Sequence, residues 1–165
     1  MRYVQFRESI SADGLGKPVV SIYFSYCDKK EITGSFCPMC QNSALQKDGV
    51  GYNLRYQDIL DILDRKLSHL QQMISRDVGI AFLGGEPLAD KNRDMFMRLS
   101  EHYEKKHQLL YTWRMPKDIN KEWIKNINKT VCGEYIDELN IGDEYLLGSK
   151  NQLIIDNNKK VILKY

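Results

Sequence analysis

Three of the four cysteines in this 165-residue chain fall within fourteen positions, Cys27-Asp-Lys-Lys-Glu-Ile-Thr-Gly-Ser-Phe-Cys37-Pro-Met-Cys40. Three thiolates on one loop can hold a soft metal, and they leave one coordination position open. Two chemistries use such a set. A structural zinc loop would draw a fourth ligand from Cys132 or a histidine, although His69, His102 and His107 stand far away with no ligand spacing. An iron–sulfur cubane held by three cysteines would keep one iron free for a substrate or cofactor. The apolar run Val19-Val-Ser-Ile-Tyr-Phe-Ser-Tyr26 directly before Cys27 reads as a strand. The thiols then sit at its carboxyl end, where ligands bind in open α/β sheets and barrels.

A second constellation follows at Phe82-Leu-Gly-Gly-Glu-Pro87. Glycines at 84 and 85 let the backbone turn sharply and come close to a ligand, and the Glu86 carboxylate then has a cation to meet. The remaining cysteine, Cys132, reads as a buried thiol on a strand.

Three clustered cysteines after one strand and Gly-Gly-Glu-Pro after the next resemble the radical S-adenosylmethionine (SAM) family. Gly148-Ser-Lys-Asn-Gln152 followed by Leu-Ile-Ile-Asp, and the early Asp13-Gly-Leu-Gly16, are similar to segments of one subgroup, the activases of anaerobic ribonucleotide reductase. The likeness runs from about residue 11 to 156. It departs at several points. Nine residues separate Cys27 from Cys37, six more than the family's usual Cys-x3-Cys-x2-Cys, while Cys37-Pro-Met-Cys40 is intact. Lys17-Pro18 stands where the activases carry an arginine, Ser43-Ala-Leu replaces Pro-Glu-Thr, and Leu147 and Leu153 flank the late loop in place of arginines.

The resemblance implies a [4Fe-4S] cluster on Cys27, Cys37 and Cys40, with SAM chelating the open iron. It implies cofactor contacts from Met39 (adenine, the alternative being a gap-filling core methionine), from Asn42, and from Gly84, Gly85 and Glu86 at the SAM ammonium. Thr112, near the end of a later strand, is a further candidate. No catalytic side chain is expected beyond the cluster and SAM. The expected partners are the large subunit of anaerobic ribonucleotide reductase, which carries the glycine radical, and an electron donor such as flavodoxin. The rival readings are a small-molecule radical SAM enzyme such as 7-carboxy-7-deazaguanine synthase, and a zinc-binding adaptor.

Composition narrows the rest. With 42% hydrophobic and 28% charged residues, the chain is ordinary for a globular protein, and its length fits one domain, residues 1–165. A net charge of +2 without a clustered basic face does not point to nucleic acid. No apolar run is long enough for a membrane, and Met1-Arg-Tyr-Val-Gln-Phe-Arg has no signal-like apolar core. Cysteines too sparse for a disulfide scaffold then point to a reducing, cytoplasmic setting.

The positioning elements follow from periodicity. Residues 1–10 read as a short edge strand and 11–18 as a loop. The cysteine loop extends to about Asn53, with Gly34, Gly49 and Gly51 arguing against any regular element longer than a turn. Ile59, Leu63, Leu67, Leu70 and Ile74 predict a helix over 56–75, capped by Asn53. Val78–Leu83 is a buried strand. A second helix is capped by Asp90 and runs to about His107, with Phe96, Leu99 and Tyr103 inward. Leu109–Trp113 is the third strand, 118–128 a third helix on Ile119, Trp123 and Ile127, and Thr130–Tyr135 the fourth strand. A hairpin of 152–156 and 161–165 turns at Asp156-Asn-Asn-Lys159. Alternating strands and helices mean an α/β fold with a mostly parallel sheet. Four such units cannot close a barrel of roughly 250 residues, so a partial, open β/α barrel of the radical SAM type is expected.

Overall fold

The structure is a computed structural model that describes residues 1–140, 148–159 and 161–163. Leu147 and the last two residues of the expected hairpin, Lys164 and Tyr165, lie outside the described residues.

Eight strands form one open sheet. They are β1 (Arg2–Ser9), β2 (Val19–Phe24), β3 (Tyr52–Leu54), β4 (Gly79–Gly84), β5 (Gln108–Thr112), β6 (Lys129–Cys132), β7 (Leu153–Asp156) and β8 (Val161–Leu163), in the order β3-β1-β2-β4-β5-β6-β7-β8. β2, β4, β5 and β6 are parallel. β1 and β7 run against them, and β3 and β8, each antiparallel to its neighbour, regain the common direction. The strand expected over 1–10 is present, but inside the sheet rather than at its edge, because β3 pairs with its outer side; the terminal hairpin is present as β7 and β8.

The order of the parallel strands in the sheet is their order in the sequence. Right-handed crossovers that always step the same way always land on the same face. Accordingly α2 (Tyr56–Ile74) and α3 (Asp90–His102) pack on one side of the sheet. They bury Ile59, Leu63, Leu67, Phe96 and Leu99 against Val20, Ile22, Phe24, Ile80, Phe82 and Leu110. Phe82 and Phe96 meet edge to face, ring centroids 5.0 Å apart. Alternate strand residues point the other way. Val19, Ala81, Leu83 and Leu109 form a smaller apolar cluster there with Leu15, Tyr23 and Tyr111, and no α-helix contributes to it among the described residues. The result is a mixed α/β fold on one open sheet whose central strands are parallel.

Several expectations are corrected. The third helix is two 3-10 turns, Pro116–Asp118 and Lys121–Ile124, separated by Asn120 in extended conformation, whose side chain accepts from the Glu122 N–H at 3.0 Å. A short amide side chain that satisfies its own backbone competes with helix continuation. Ile119 and Ile127 are nonetheless buried and Trp123 packs against the core, as the stripe predicts. α2 is capped at Arg55, whose N–H donates to the Asp58 carboxylate at 3.0 Å, while Asn53 belongs to β3. α3 stops at His102, short of His107, because the buried Gln108 amide donates to the Ser100 and Tyr103 carbonyls and closes the helix end. Asp90 is the first helical residue, and Ala89 holds the cap position. The cysteine loop contains a one-turn helix, α1 (Lys29–Thr33), and a 3-10 turn at Ser43–Gln46, neither longer than the single turn the glycines allow. Among the described residues no helix is long and apolar enough to cross a membrane.

Phe82→Ala removes the ring at the centre of the helix-facing core. It should cost ~3–5 kcal/mol in urea unfolding without changing the sheet's circular dichroism.

Candidate functional site

Over the helix-free face, at the carboxyl ends of the parallel strands, lies a cavity of about 620 Å³. Cys27, Cys37 and Cys40 line it, with Gly84 and Gly85 from the end of β4 and Thr112 from the end of β5. Asp13 of the early turn and Gly148 and Gln152 of the late loop complete the wall, as does Asn42. Four separate sequence motifs therefore meet in one space.

Each is held by identifiable bonds. At the exit of β2, Tyr26 is forced to φ 83°, a left-handed conformation that a tyrosine adopts at a cost. Its N–H donates to the Leu45 carbonyl at 2.8 Å, and its own carbonyl accepts from the Glu86 N–H at 2.9 Å. The Cys27 N–H donates to the Gln46 carbonyl at 3.0 Å, so the far end of the loop returns to clamp its beginning. Gly84, at φ 114°, and Gly85 run against the β2 backbone, and a Cβ at either position would overlap the Phe24 or Tyr26 peptide. The Asp13 carboxylate accepts from the Ser21 and Tyr23 hydroxyls at 2.6 and 2.7 Å. The Gln152 carbonyl accepts from the Gly148 N–H at 3.0 Å, and its amide donates to the Gly133 carbonyl at 3.0 Å.

Glu86 is not in the cavity wall. Its side chain is fully buried, and its carboxylate accepts from the Thr112 hydroxyl at 2.9 Å, the Leu88 N–H at 2.9 Å and the Trp113 N–H at 3.2 Å. Its reach to the cavity runs through Thr112. Burial pushes the Glu86 carboxyl up to about 7, and Arg114, the Leu88 N–H and Thr112 act against that rise. Met39 is also elsewhere: it is 74% exposed and outside the wall, because its own φ of 52° turns the Cys37–Cys40 segment outward there. Cys132 is a fully buried thiol on β6, as expected.

Sequence reasoning missed the braces beneath the loop. Asp28 pairs with the Arg114 guanidinium and accepts from the Trp113 indole N–H at 3.2 Å. Arg114 Nε lies 4.0 Å from the Glu86 carboxylate. Asn92 of α3, fully buried, donates its amide to the carbonyls of Ser25, Tyr26 and Glu86 at 3.0, 3.2 and 2.8 Å. The one signal in the sequence was Asn92 itself, a polar residue in step with Met95, Phe96 and Leu99.

Residues 12–155 match the profile of the 4Fe-4S single cluster domain family, and the chain belongs to that family. Comparison with curated proteins gives no match. The residues present fit a cluster. All three loop thiols are free and open onto the same cavity. Among the described residues no three His, Cys, Asp or Glu side chains stand close enough to share one metal ion. Cubane ligands each take a different iron, so the thiols need not converge on one point. Burial pushes the Cys27 thiol up to about 12 and raises Cys37, so loading must displace protons and will be favoured at higher pH.

Two outcomes follow from the buried charges. Arg114→Met leaves Asp28 without its cation and should cost ~3–5 kcal/mol in urea unfolding. A carboxyl raised from its ordinary 4.5 to about 7 binds its proton more tightly in the folded state. Its contribution to stability is therefore full below pH 4.5 and declines as pH rises through about 7. Glu86→Gln, unfolded in parallel with the wild type from about pH 5 to 8, should lack that decline.

Proposed function

We propose that this member of the 4Fe-4S single cluster domain family is a radical SAM enzyme, an activase that installs a glycyl radical on the large subunit of anaerobic ribonucleotide reductase in the cytoplasm. The observation that carries the reading is the shared cavity. The three thiols and the Gly84–Gly85 turn resemble the radical SAM family, the Asp13 turn and the Gly148–Gln152 loop resemble this subgroup, and all of them line it. At about 620 Å³ the space is of the size that takes a cofactor and part of a substrate.

In this reading Cys27, Cys37 and Cys40 hold the cluster and leave one iron open. The bound cluster and SAM together supply a hydrogen-abstracting radical through one-electron cleavage of SAM. The chain's own residues bind and orient. Gly84 and Gly85, stripped of side chains, present their backbone to the amino-acid end of SAM, and Thr112 and Asn42 offer polar contacts beside it. Glu86 acts behind that wall, fixing the Thr112 hydroxyl. Leu83 and Tyr111, on the helix-free face, give the floor an apolar portion that limits water. The partner's glycine would enter from outside, and an electron donor such as flavodoxin would supply the electron that the bound cluster needs.

Reconstituted without oxygen, the protein should hold about one four-iron cluster. Cys27→Ala, Cys37→Ala and Cys40→Ala should each lose it, and Cys132→Ala should keep it. With dithionite and SAM the wild type should release 5′-deoxyadenosine. With the reductase large subunit added, a doublet electron paramagnetic resonance signal should appear on that subunit and vanish when its radical glycine is replaced by Ala. Deoxyadenosine release driven by a small pterin-like molecule, with no protein radical, would overturn the activase reading.

A further inference from the structure

The residues between Cys27 and Cys37 do more than lengthen a loop. Lys29, on α1, is only 5% exposed. A lysine is seldom buried to this degree without a paired charge. Its ammonium lies 2.8 Å from the Glu134 carboxylate and 3.2 Å from the Ser35 carbonyl. Its neighbour Lys30, by contrast, is exposed and its ammonium lies 5.8 Å from the Phe36 ring centroid.

The pair brackets a cysteine. Ser35 is two residues before Cys37, and Glu134 stands between Gly133 and Tyr135; Cys37, Gly133 and Tyr135 all line the cavity. The Lys29–Glu134 ion pair therefore sits behind the part of the cavity wall that carries Cys37, one positive and one negative charge. Lys29 also opens α1 only two residues after Cys27. One buried cation thus ties the start of the loop after Cys27 to the segment before Cys37 and to the exit of β6.

We propose that Lys29 is a positioning residue that raises the reduction potential of the cluster, holding a fixed positive charge beside Cys37 that Glu134 partly offsets. The proposal rests on the assignment of Cys27, Cys37 and Cys40 as cluster ligands. The physical cause is general. Reduction adds a negative charge to the cluster, and nearby charge and N–H groups facing the sulfurs set how favourable that is. A cation desolvated inside the fold is screened little by solvent and salt. The six extra residues of the loop supply the turn that carries this cation inward.

The test uses the full chain, reconstituted without oxygen, as wild type, Lys29→Gln, Lys29→Arg and Glu134→Gln. Iron content and visible absorption report loading, and a redox titration followed by electron paramagnetic resonance reports the potential. At a fixed poise, Lys29→Gln should lower the ratio of reduced to oxidised cluster about tenfold, or ~59 mV for one electron. Lys29→Arg should restore the wild-type ratio, and Glu134→Gln should raise it several-fold. A purely structural brace predicts no such opposition of sign. Shifts in the same direction in Lys29→Gln and Glu134→Gln, or none in either, overturn the proposal. If Lys29→Gln does not load iron, Glu134→Gln decides alone: a rise supports the proposal, and a fall or no change overturns it. The ligand assignment fails separately, by full cluster retention in Cys37→Ala.

Discussion

A carboxylate with no water around it fixes the geometry of this protein's site. Glu86 accepts from one hydroxyl and two peptide N–H groups, and Arg114 stands 4.0 Å away. An unpaired carboxylate at this depth would cost several kcal/mol, so the groups that satisfy it are not free to move independently. Those groups come from the turn after β4 and from the end of β5. Arg114 then passes the constraint to Asp28, the residue after Cys27. The position of the first thiol is in this way tied to a carboxylate in the turn after β4, through charge rather than through local loop conformation. Asn92 adds a second tie, joining the β2 exit and the Glu86 turn from the helix side.

The sheet explains why these ends meet at all. Because β2, β4, β5 and β6 succeed one another in space as in sequence, every crossover falls on one face and the other is left to the cavity. The polar groups on that other face are mutually engaged. Ser21 and Tyr23 donate to Asp13, and the Tyr111 hydroxyl donates to the Asp13 carbonyl at 3.0 Å. They pin the early turn onto the open face, so that one wall of the cavity is supplied by a segment with little regular structure of its own.

What the sequence made legible was whatever rested on local pattern. The strand before Cys27, the turn at Gly84–Gly85, the long helix on Ile59, Leu63, Leu67 and Leu70, and the terminal hairpin all carry their signal within a few residues. What it concealed depends on partners remote in the chain. β3 is three residues long and exists because Tyr52–Leu54 meets Arg2–Val4 of β1. Asp28, Lys29 and Arg114 look like ordinary surface charges until the fold buries them together. The turn at Gly-Gly-Glu-Pro was legible but the direction of Glu86 was not: no pattern there says whether the carboxylate faces the cavity or the core. The third helix failed for the opposite reason. The spacing of Ile119, Trp123 and Ile127 is helical and their burial is real, but Asn120 offers its own backbone a better partner than the helix does.

The long gap between Cys27 and Cys37 is the sharpest departure from the resemblance, and the structure accommodates it without displacing either thiol from the cavity. Five of the intervening residues are wound into α1, where the rise is about 1.5 Å per residue instead of the ~3.3 Å of extended chain. Gly34, at φ 88°, then reverses the direction, a conformation that suits glycine. The Thr33 hydroxyl donates to the Lys29 and Ser35 carbonyls at 2.9 and 3.1 Å, closing the excursion on itself. The two ends of the insert are therefore brought back together, and Cys37 re-enters the wall that Cys27 left. Sequence spacing changes by six residues while the extra length is absorbed in a turn whose entropy of closure grows only slowly with length. Spacing rules for metal ligands describe the shortest connection that reaches between them. Here the longer connection between the two cysteines is held at its base by the buried Asp28–Arg114 pair and by the Lys29–Glu134 pair.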